Sequence, residues 1–375
     1  MITRLFATVV GWYGTETIGD RAILAGIIRL LSEVASDITL NLGSLYPVLS
    51  ERTLHDDADF FVQCAHNSSL RINLFDSQSR SQLEKSIKSS DALIIGGGPL
   101  MDIEQMFMLE YAVAFAKQRK KITFALGCGY GPLKKKDTIE CADRILKAVD
   151  YSAMRDSNAP FATIKDLVDP AAFACLEFMR TNKEERKKDT IAVNFRDVLA
   201  DSSRYPVRKD IEEKLTKWFT SFVDQCDKPV YLVPMHSFSI GKDDRIYLGR
   251  LGRAVQSPKV EVVSRPPSLR KTMELFYHSS LCVGMRFHAV LLQTLLNGNN
   301  YILDYTHPET GKTISLMRQL NMLEPYQGKY VSLAQCDGEI TFSNDDEIKF
   351  FQCDREILAR HFSAYVDLIN KAFNR

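Results

Sequence analysis

Ala92-Leu93-Ile94-Ile95-Gly96-Gly97-Gly98-Pro99 is an unbroken apolar run that stops on three glycines and a proline. Four apolar residues without alternation suit a strand buried on both faces, the kind that parallel sheets contain. Three successive glycines carry a large entropic cost, so the turn after the strand needs a reason. Close approach of a ligand to the backbone is one, and tight strand-to-helix packing is the other. Upstream, residues 5–10 read as a first strand, 18–34 as a helix and 38–42 as a second strand. Residues 60–64 and 71–75 read as short β-like runs, and 81–88 is amphipathic. Downstream, 101–117 reads as a helix, 122–126 as a strand and 138–149 as a helix. Alternation of this kind predicts an α/β protein whose parallel sheet is flanked by helices on both faces.

Thr181-Asn182-Lys183-Glu184-Glu185-Arg186-Lys187-Lys188-Asp189 contains no apolar residue and mixes both charge signs, which reads as a solvated linker. The rhythm restarts after it, with strands expected over 191–195, 230–233, 260–263, 281–283 and 301–303. Helical patterns at 211–223 and 269–277 separate them. Residues 345–373 read as a long amphipathic helix interrupted near Cys353 and Asp354. The expected organisation is an N-terminal Rossmann-like domain (1–180), a charged linker (181–189), a C-terminal Rossmann-like domain (190–344) and a helical segment (345–375). Two such parallel-sheet domains are expected to face a cleft, with ligands at the carboxyl ends of the strands.

The composition sets the class of protein. A chain of 375 residues that is 45% hydrophobic and 25% charged is folded rather than disordered, and long enough for two cores. A net charge of +1 gives no basis for expecting nucleic acid as a partner. No apolar run is long enough to span a bilayer, and residues 1–10 read better as a first strand than as a signal. The eight cysteines are scattered without a C-x-x-C pair, which points to a reduced, cytoplasmic protein with no metal site.

Four glycine-bearing turns follow expected strands. Gly11-Trp12-Tyr13-Gly14-Thr15-Glu16-Thr17-Ile18-Gly19-Asp20 leads into a helix. Gly11 and Gly14 permit unusual backbone geometry facing an anion, while Asp20 either caps the helix or meets a sugar hydroxyl. Gly96, Gly97 and Gly98 lead to Asp102. Gly127-Cys128-Gly129-Tyr130-Gly131-Pro132 resembles a dinucleotide fingerprint only loosely, with the wrong spacing. The last turn is Gly284-Met285-Arg286-Phe287-His288-Ala289, between an apolar strand and an apolar helix. A permanent cation two residues from an imidazole at a helix start suits an anionic substrate that must also be protonated. The plainer reading is that Arg286 pairs with a carboxylate and His288 is a half-buried histidine with its hydrogen bonds met. Arg196, His236, Arg155 and Lys312 lie at or after other strand ends, where several cations would suit phosphate and carboxylate together.

In this order, the turns at 11–20, 94–102, 127–132, 154–156 and 284–289 resemble those of the polysaccharide pyruvyl transferase family, over nearly the whole chain. The resemblance implies a GT-B-like pair of Rossmann-type domains. It also implies transfer of the enolpyruvyl unit of phosphoenolpyruvate onto two sugar hydroxyls, giving a cyclic ketal and free phosphate. Arg286 and His288 match the family's R-x-H, Arg196 a donor-holding arginine, Arg155 the R-D turn, and Gly96–Gly98 the glycine turn. Tyr305-Thr306-His307-Pro308-Glu309-Thr310-Gly311-Lys312 is a longer version of the family's acidic-Lys turn.

On this reading Arg286, Arg196, His236 and Lys312 bind the donor and His288 is the acid. Gly11, Gly14, Asp20, Gly96, Gly97, Gly98, Asp102, Gly129 and Arg155 line the rest of the cleft, on the acceptor side. Phosphoenolpyruvate is the donor substrate and no cofactor is expected. The acceptor is a sugar of a cell-surface polysaccharide or its lipid-linked precursor, which would bring the protein to the inner face of the membrane. Lys134-Lys135-Lys136 reads either as a solvated loop or as a membrane contact. A homo-oligomer is compatible with the sequence. The competing readings are a GT-B glycosyltransferase with a nucleotide-sugar donor, a non-catalytic binding relative and, last, a nicotinamide oxidoreductase.

Overall fold

Residues 92–95 form a fully buried strand inside a six-stranded sheet of the computed structural model, which describes residues 2–199, 207–238, 242–342 and 353–374. The chain forms two units, Met1–Glu177 with Arg355–Arg375, and Phe178–Asp354. In the first unit the strands are β1 (Ile2–Val10), β2 (Ala35–Ser44), β3 (Ser69–Asp76), β4 (Ala92–Ile95), β5 (Ile122–Cys128) and β6 (Tyr151–Met154). Their order is β3-β2-β1-β4-β5-β6, and every neighbouring pair is parallel. The second unit holds β7 (Thr190–Val193), β8 (Val230–Leu232), β9 (Val260–Val262), β10 (Ser279–Gly284), β11 (Asn300–Asp304) and β12 (Tyr330–Ser332). Its order, β9-β8-β7-β10-β11-β12, is again all parallel and repeats the order of the first sheet. Both are the doubly wound arrangement in which the chain reverses direction across the sheet between the first and fourth strands. The carboxyl ends of β1 and β4, and of β7 and β10, therefore flank the two crevices where such folds bind ligands.

The apolar runs make the strands because helices cover both faces of each sheet. Leu93 and Ile95 pack with Leu109, Val113 and Ile145 in the first unit. Val193, Leu232 and Val283 pack with Leu215, Phe219 and Leu248 in the second. Each such side chain contributes about 1.5–3 kcal/mol through removal from water.

Two expectations are corrected, and a third gains a detail. Residues 60–64 are not β-like but belong to a helix, Ala58–Cys64, with Phe60, Phe61 and Cys64 buried. Their spacing is the helical i, i+1, i+4 pattern, and five residues are too few for periodicity to separate the two. The charged run at 181–189 is mostly exposed and, from 182 on, without regular structure, but it is anchored at one residue. It lies in the second unit, where the Arg186 guanidinium donates to the carbonyls of Leu296 and Asn297 at 2.6 and 3.2 Å. Those carbonyls end the helix Phe287–Leu296 and lack helical partners, so a cation is well placed there. The C-terminal helix, Arg355–Phe373, packs on the first unit rather than forming a segment of its own. Phe362 and Tyr365 meet Phe173 edge-on, and the Tyr365 hydroxyl donates to the Val168 carbonyl at 3.1 Å. The part of the expected helix at 345–352 lies outside the described residues.

Candidate active site

The sequence-predicted residues gather in two clusters, one at the strand ends of each sheet. In the second unit, β10 ends at Gly284, where a side chain would lie 2.5 Å from the Gln293 amide oxygen. Glycine there lets the helix Phe287–Leu296 fold back closely on its strand. Arg286 is that helix's N-cap with extended backbone and no side-chain cap, so the first-turn N–H groups keep their capacity for an anion. The Arg286 backbone N–H donates to Asn194 Oδ1 at 3.1 Å, and Asn194 Nδ2 donates to the Val233 carbonyl at 2.9 Å. Asn194, directly after β7, thus ties the ends of β8 and β10 together.

The Arg286 side chain is held by a carboxylate. Its Nε lies 2.9 and 2.8 Å from the two Asp244 oxygens, and Nη2 lies 2.5 Å from Oδ1. Asp244 is almost wholly buried, and its Oδ2 also accepts the N–H groups of Met235 and His236 at 3.0 and 3.1 Å. One carboxylate therefore sets both the guanidinium plane and the loop that carries His236. The carboxylate pairing read from the sequence as the plain alternative is present. It leaves Nη1 of Arg286 with no hydrogen bond to any described residue.

Arg196 follows Phe195, whose ring packs edge-on against Phe219 at 5.3 Å. That contact anchors the chain just before the arginine. Arg196 is buried, its guanidinium lies over the Tyr305 ring at 4.9 Å, and Nη1 donates to the Tyr305 hydroxyl at 3.1 Å. Lys312 starts the helix Lys312–Gln319, and its ammonium lies 5.7 Å from the Phe287 ring centroid. The half-buried His288 ring stands nearly perpendicular to the same Phe287 ring at 5.0 Å. Burial pushes the Tyr305 phenol up, but Lys312, Arg196 and Arg286 together outweigh burial and bring it down to about 8. Three of the donor cations expected from the sequence thus act on one phenol oxygen.

In the first unit the glycine turns pack on one another. A side chain at Gly11 would land on the Gly96 carbonyl oxygen. Gly97 and Gly98 both have φ of 90°, and a side chain at either would meet Tyr13 or Trp12. The Trp12 indole N–H donates to the Pro99 carbonyl at 2.7 Å, which ties the first turn to the triple-glycine turn. Gly14, with φ of 89°, abuts the backbone of Tyr46. Close packing and left-handed backbone account for these glycines.

Asp20 lies in the first turn of the helix Ile18–Leu31 but is not its cap, which is Thr17. Its carboxyl is pushed up to about 7, chiefly by burial, with Arg155 opposing the rise and Asp169 adding to it. Arg155 is buried in an ion pair with Asp169 and backs directly onto Gly129. The Cys128 thiol is pushed up to about 12 by burial. Asp102 is committed elsewhere. It accepts the Lys134 N–H at 2.9 Å, the Lys135 N–H at 3.3 Å and the Thr138 hydroxyl, which steadies the loop before the helix Lys136–Ala148. The helix expected over 101–117 accordingly starts later, at Met106.

Asn194, Asp244 and Tyr305 are the site residues that sequence reasoning missed. Tyr305 sits in the turn quoted for its lysine, and Asn194 lies two residues before Arg196, so position at a strand end was a usable signal for both. Asp244 offered none, since it opens a helix some distance along the chain.

The family model described as polysaccharide pyruvyl transferase matches residues 18–307, which contain both strand-end clusters except for Lys312 and the first glycine turn with Gly11 and Gly14. Among curated proteins, the amylovoran biosynthesis protein AmsJ of Erwinia amylovora is 22% identical, with 84% of this chain and 86% of that protein covered. Among solved structures, a putative UDP-N-acetylglucosamine 2-epimerase from Listeria monocytogenes is similar with a TM-score of 0.53 at 10% identity, covering 92% of this chain and 93% of that one. UDP-GlcNAc 2-epimerase from Neisseria meningitidis gives a TM-score of 0.52 at 10% identity, covering 99% and 100%. These likenesses bear out the two Rossmann-like parallel sheets flanked by helices, and at that identity they speak to the fold alone. The R-x-H turn at a strand-to-helix junction, repeated doubly wound topology and the match over most of the chain agree: this is a transferase belonging to the polysaccharide pyruvyl transferase family.

Proposed function

We propose that the protein transfers the enolpyruvyl unit of phosphoenolpyruvate to two hydroxyls of a sugar, forming a cyclic ketal and releasing phosphate. The observation that carries this reading is the grouping of cations at the strand ends of the second sheet: Arg196 after β7, stacked on Tyr305, Arg286 after β10, and Lys312 beside Phe287. A donor bearing both a carboxylate and a phosphate needs more than one cation, and planar guanidinium groups suit both anions.

The chemistry requires a proton on the methylene carbon of the donor. His288 is the acid on this reading, since it sits in the first turn of the helix that Arg286 caps. Protonation leaves an oxocarbenium-like C2. The oxygen of one sugar hydroxyl bonds to C2, the C2–O bond to phosphate breaks, and the second hydroxyl oxygen takes its place. Of the two hydroxyl protons lost, one balances the new methyl hydrogen and the other leaves with phosphate.

The second unit is the donor side in this scheme, with His236 on the loop that Asp244 fixes, and the first unit is the acceptor side. The acceptor is a sugar of a surface polysaccharide or its lipid-linked precursor, met at the inner face of the membrane. None of the described helices is long and apolar enough to cross a membrane. A thermal-shift titration tests the donor assignment. Phosphoenolpyruvate should raise the melting temperature where nucleotide sugars do not, and the reverse pattern would replace this donor with a nucleotide sugar.

A further inference from the structure

Tyr305 is a fully buried tyrosine whose hydroxyl receives a guanidinium N–H and whose ring lies under the same guanidinium. Arg196 is thus held by two contacts to a single side chain, one directional and one through the ring face. The tyrosine itself is fixed at the end of β11, where the neighbouring Thr306 N–H and hydroxyl donate to Asp304 at 2.8 and 2.7 Å. Asp304 also accepts from the Tyr330 hydroxyl at 2.7 Å, which ties the end of β11 to the start of β12. The turn under Arg196 is therefore rigid. The charged groups acting on the Tyr305 oxygen come from three elements: Arg196 after β7, Arg286 after β10 and Lys312 from the following helix.

We propose that Tyr305 is a positioning residue for the anionic donor, aiming the Arg196 guanidinium. The inference rests on the donor assignment made above and adds a residue to it. Being buried beneath its cations, Tyr305 acts through Arg196 rather than by touching the donor. Its hydroxyl also makes the site sensitive to alkali. Near pH 8 the phenol loses its proton, and the resulting negative charge offsets the cations that the donor needs. Donor affinity should weaken as pH rises through that value.

Tyr305→Phe keeps the ring and removes only the hydroxyl. It should raise KM for phosphoenolpyruvate about tenfold, the size expected for losing a hydrogen bond to a charged group, while kcat falls far less. It should also abolish the rise of KM between pH 7 and 9 that the wild type should show. In an Arg196→Lys background the same substitution should cost almost nothing, because the guanidinium it aims is gone. Failure of the wild type to bind phosphoenolpyruvate overturns the donor assignment and this proposal with it. Binding by the wild type, with KM and its pH profile unchanged in Tyr305→Phe, overturns the proposal alone. Equal, additive losses in both backgrounds also overturn it, since they mark a merely structural effect.

Discussion

Arg286 and Asp244, 42 residues apart in sequence, form a forked ion pair in which the carboxylate also holds the backbone of Met235 and His236. A guanidinium fastened along one edge presents its remaining N–H groups in a fixed direction, which is what a binding arginine needs. The pairing and the binding role are thus complementary readings of one residue.

Removing the carboxylate should damage both stability and donor binding. Asp244→Ala leaves a guanidinium and two backbone N–H groups without their acceptor, and should cost about 3 kcal/mol of unfolding free energy. Thermal denaturation reads the first effect and KM for phosphoenolpyruvate the second. An unchanged KM would detach Asp244 from the site.

Arg286→Lys keeps the charge and loses the fork. Lysine cannot bridge Asp244 and the donor with planar geometry, so kcat/KM for phosphoenolpyruvate should fall by about tenfold or more. Steady-state kinetics at saturating acceptor checks this, and near-wild-type efficiency would reduce Arg286 to a point charge.

His288→Ala should lower kcat by about 10²–10⁴-fold, the usual contribution of a positioned acid, with little change in KM for the donor. Near-wild-type turnover with an unchanged pH dependence would remove His288 from the mechanism.

Asp20 supplies a prediction in the first unit. Its carboxyl titrates near 7 when folded against an ordinary 3.8, so ionising it opposes folding, and wild-type stability should drop as pH rises across that interval. Asp20→Asn removes the drop. The variant should match the wild type near pH 4 and exceed it by up to about 4 kcal/mol at pH 8. Parallel denaturation curves at all pH values would contradict the burial argument.

Gly11→Ala should cost about 3 kcal/mol or more, because the new methyl group collides with the Gly96 carbonyl oxygen, and backbone cannot step aside as a flexible side chain can. A drop in melting temperature of a few degrees or more checks it, and an unchanged value would contradict the packing account of the glycine turns.

Much of the fold was legible because strand and helix identity is local. Residues 92–95 are apolar on both faces and lie inside the sheet, and Arg286 and His288 sit at the strand-to-helix junction their flanks predicted. The misread elements were those whose local pattern fits two structures, as at Phe60–Phe61–Cys64. Partners of the site were hidden for a different reason. Asn194 meets Arg286 across 92 residues and Arg196 meets Tyr305 across 109, so only the sheet order brings them together. The same holds for Tyr365 and Val168, 197 residues apart, whose contact returns the last helix to the first unit.

The central claim is pyruvyl transfer, and product analysis tests it most directly. The protein is incubated with phosphoenolpyruvate and a panel of β-galactosyl, mannosyl and N-acetylhexosaminyl acceptors, and both free phosphate and acceptor mass are followed. The account predicts phosphate release in step with an acceptor heavier by one pyruvate less one water. No phosphoenolpyruvate binding and no product across the panel would contradict it.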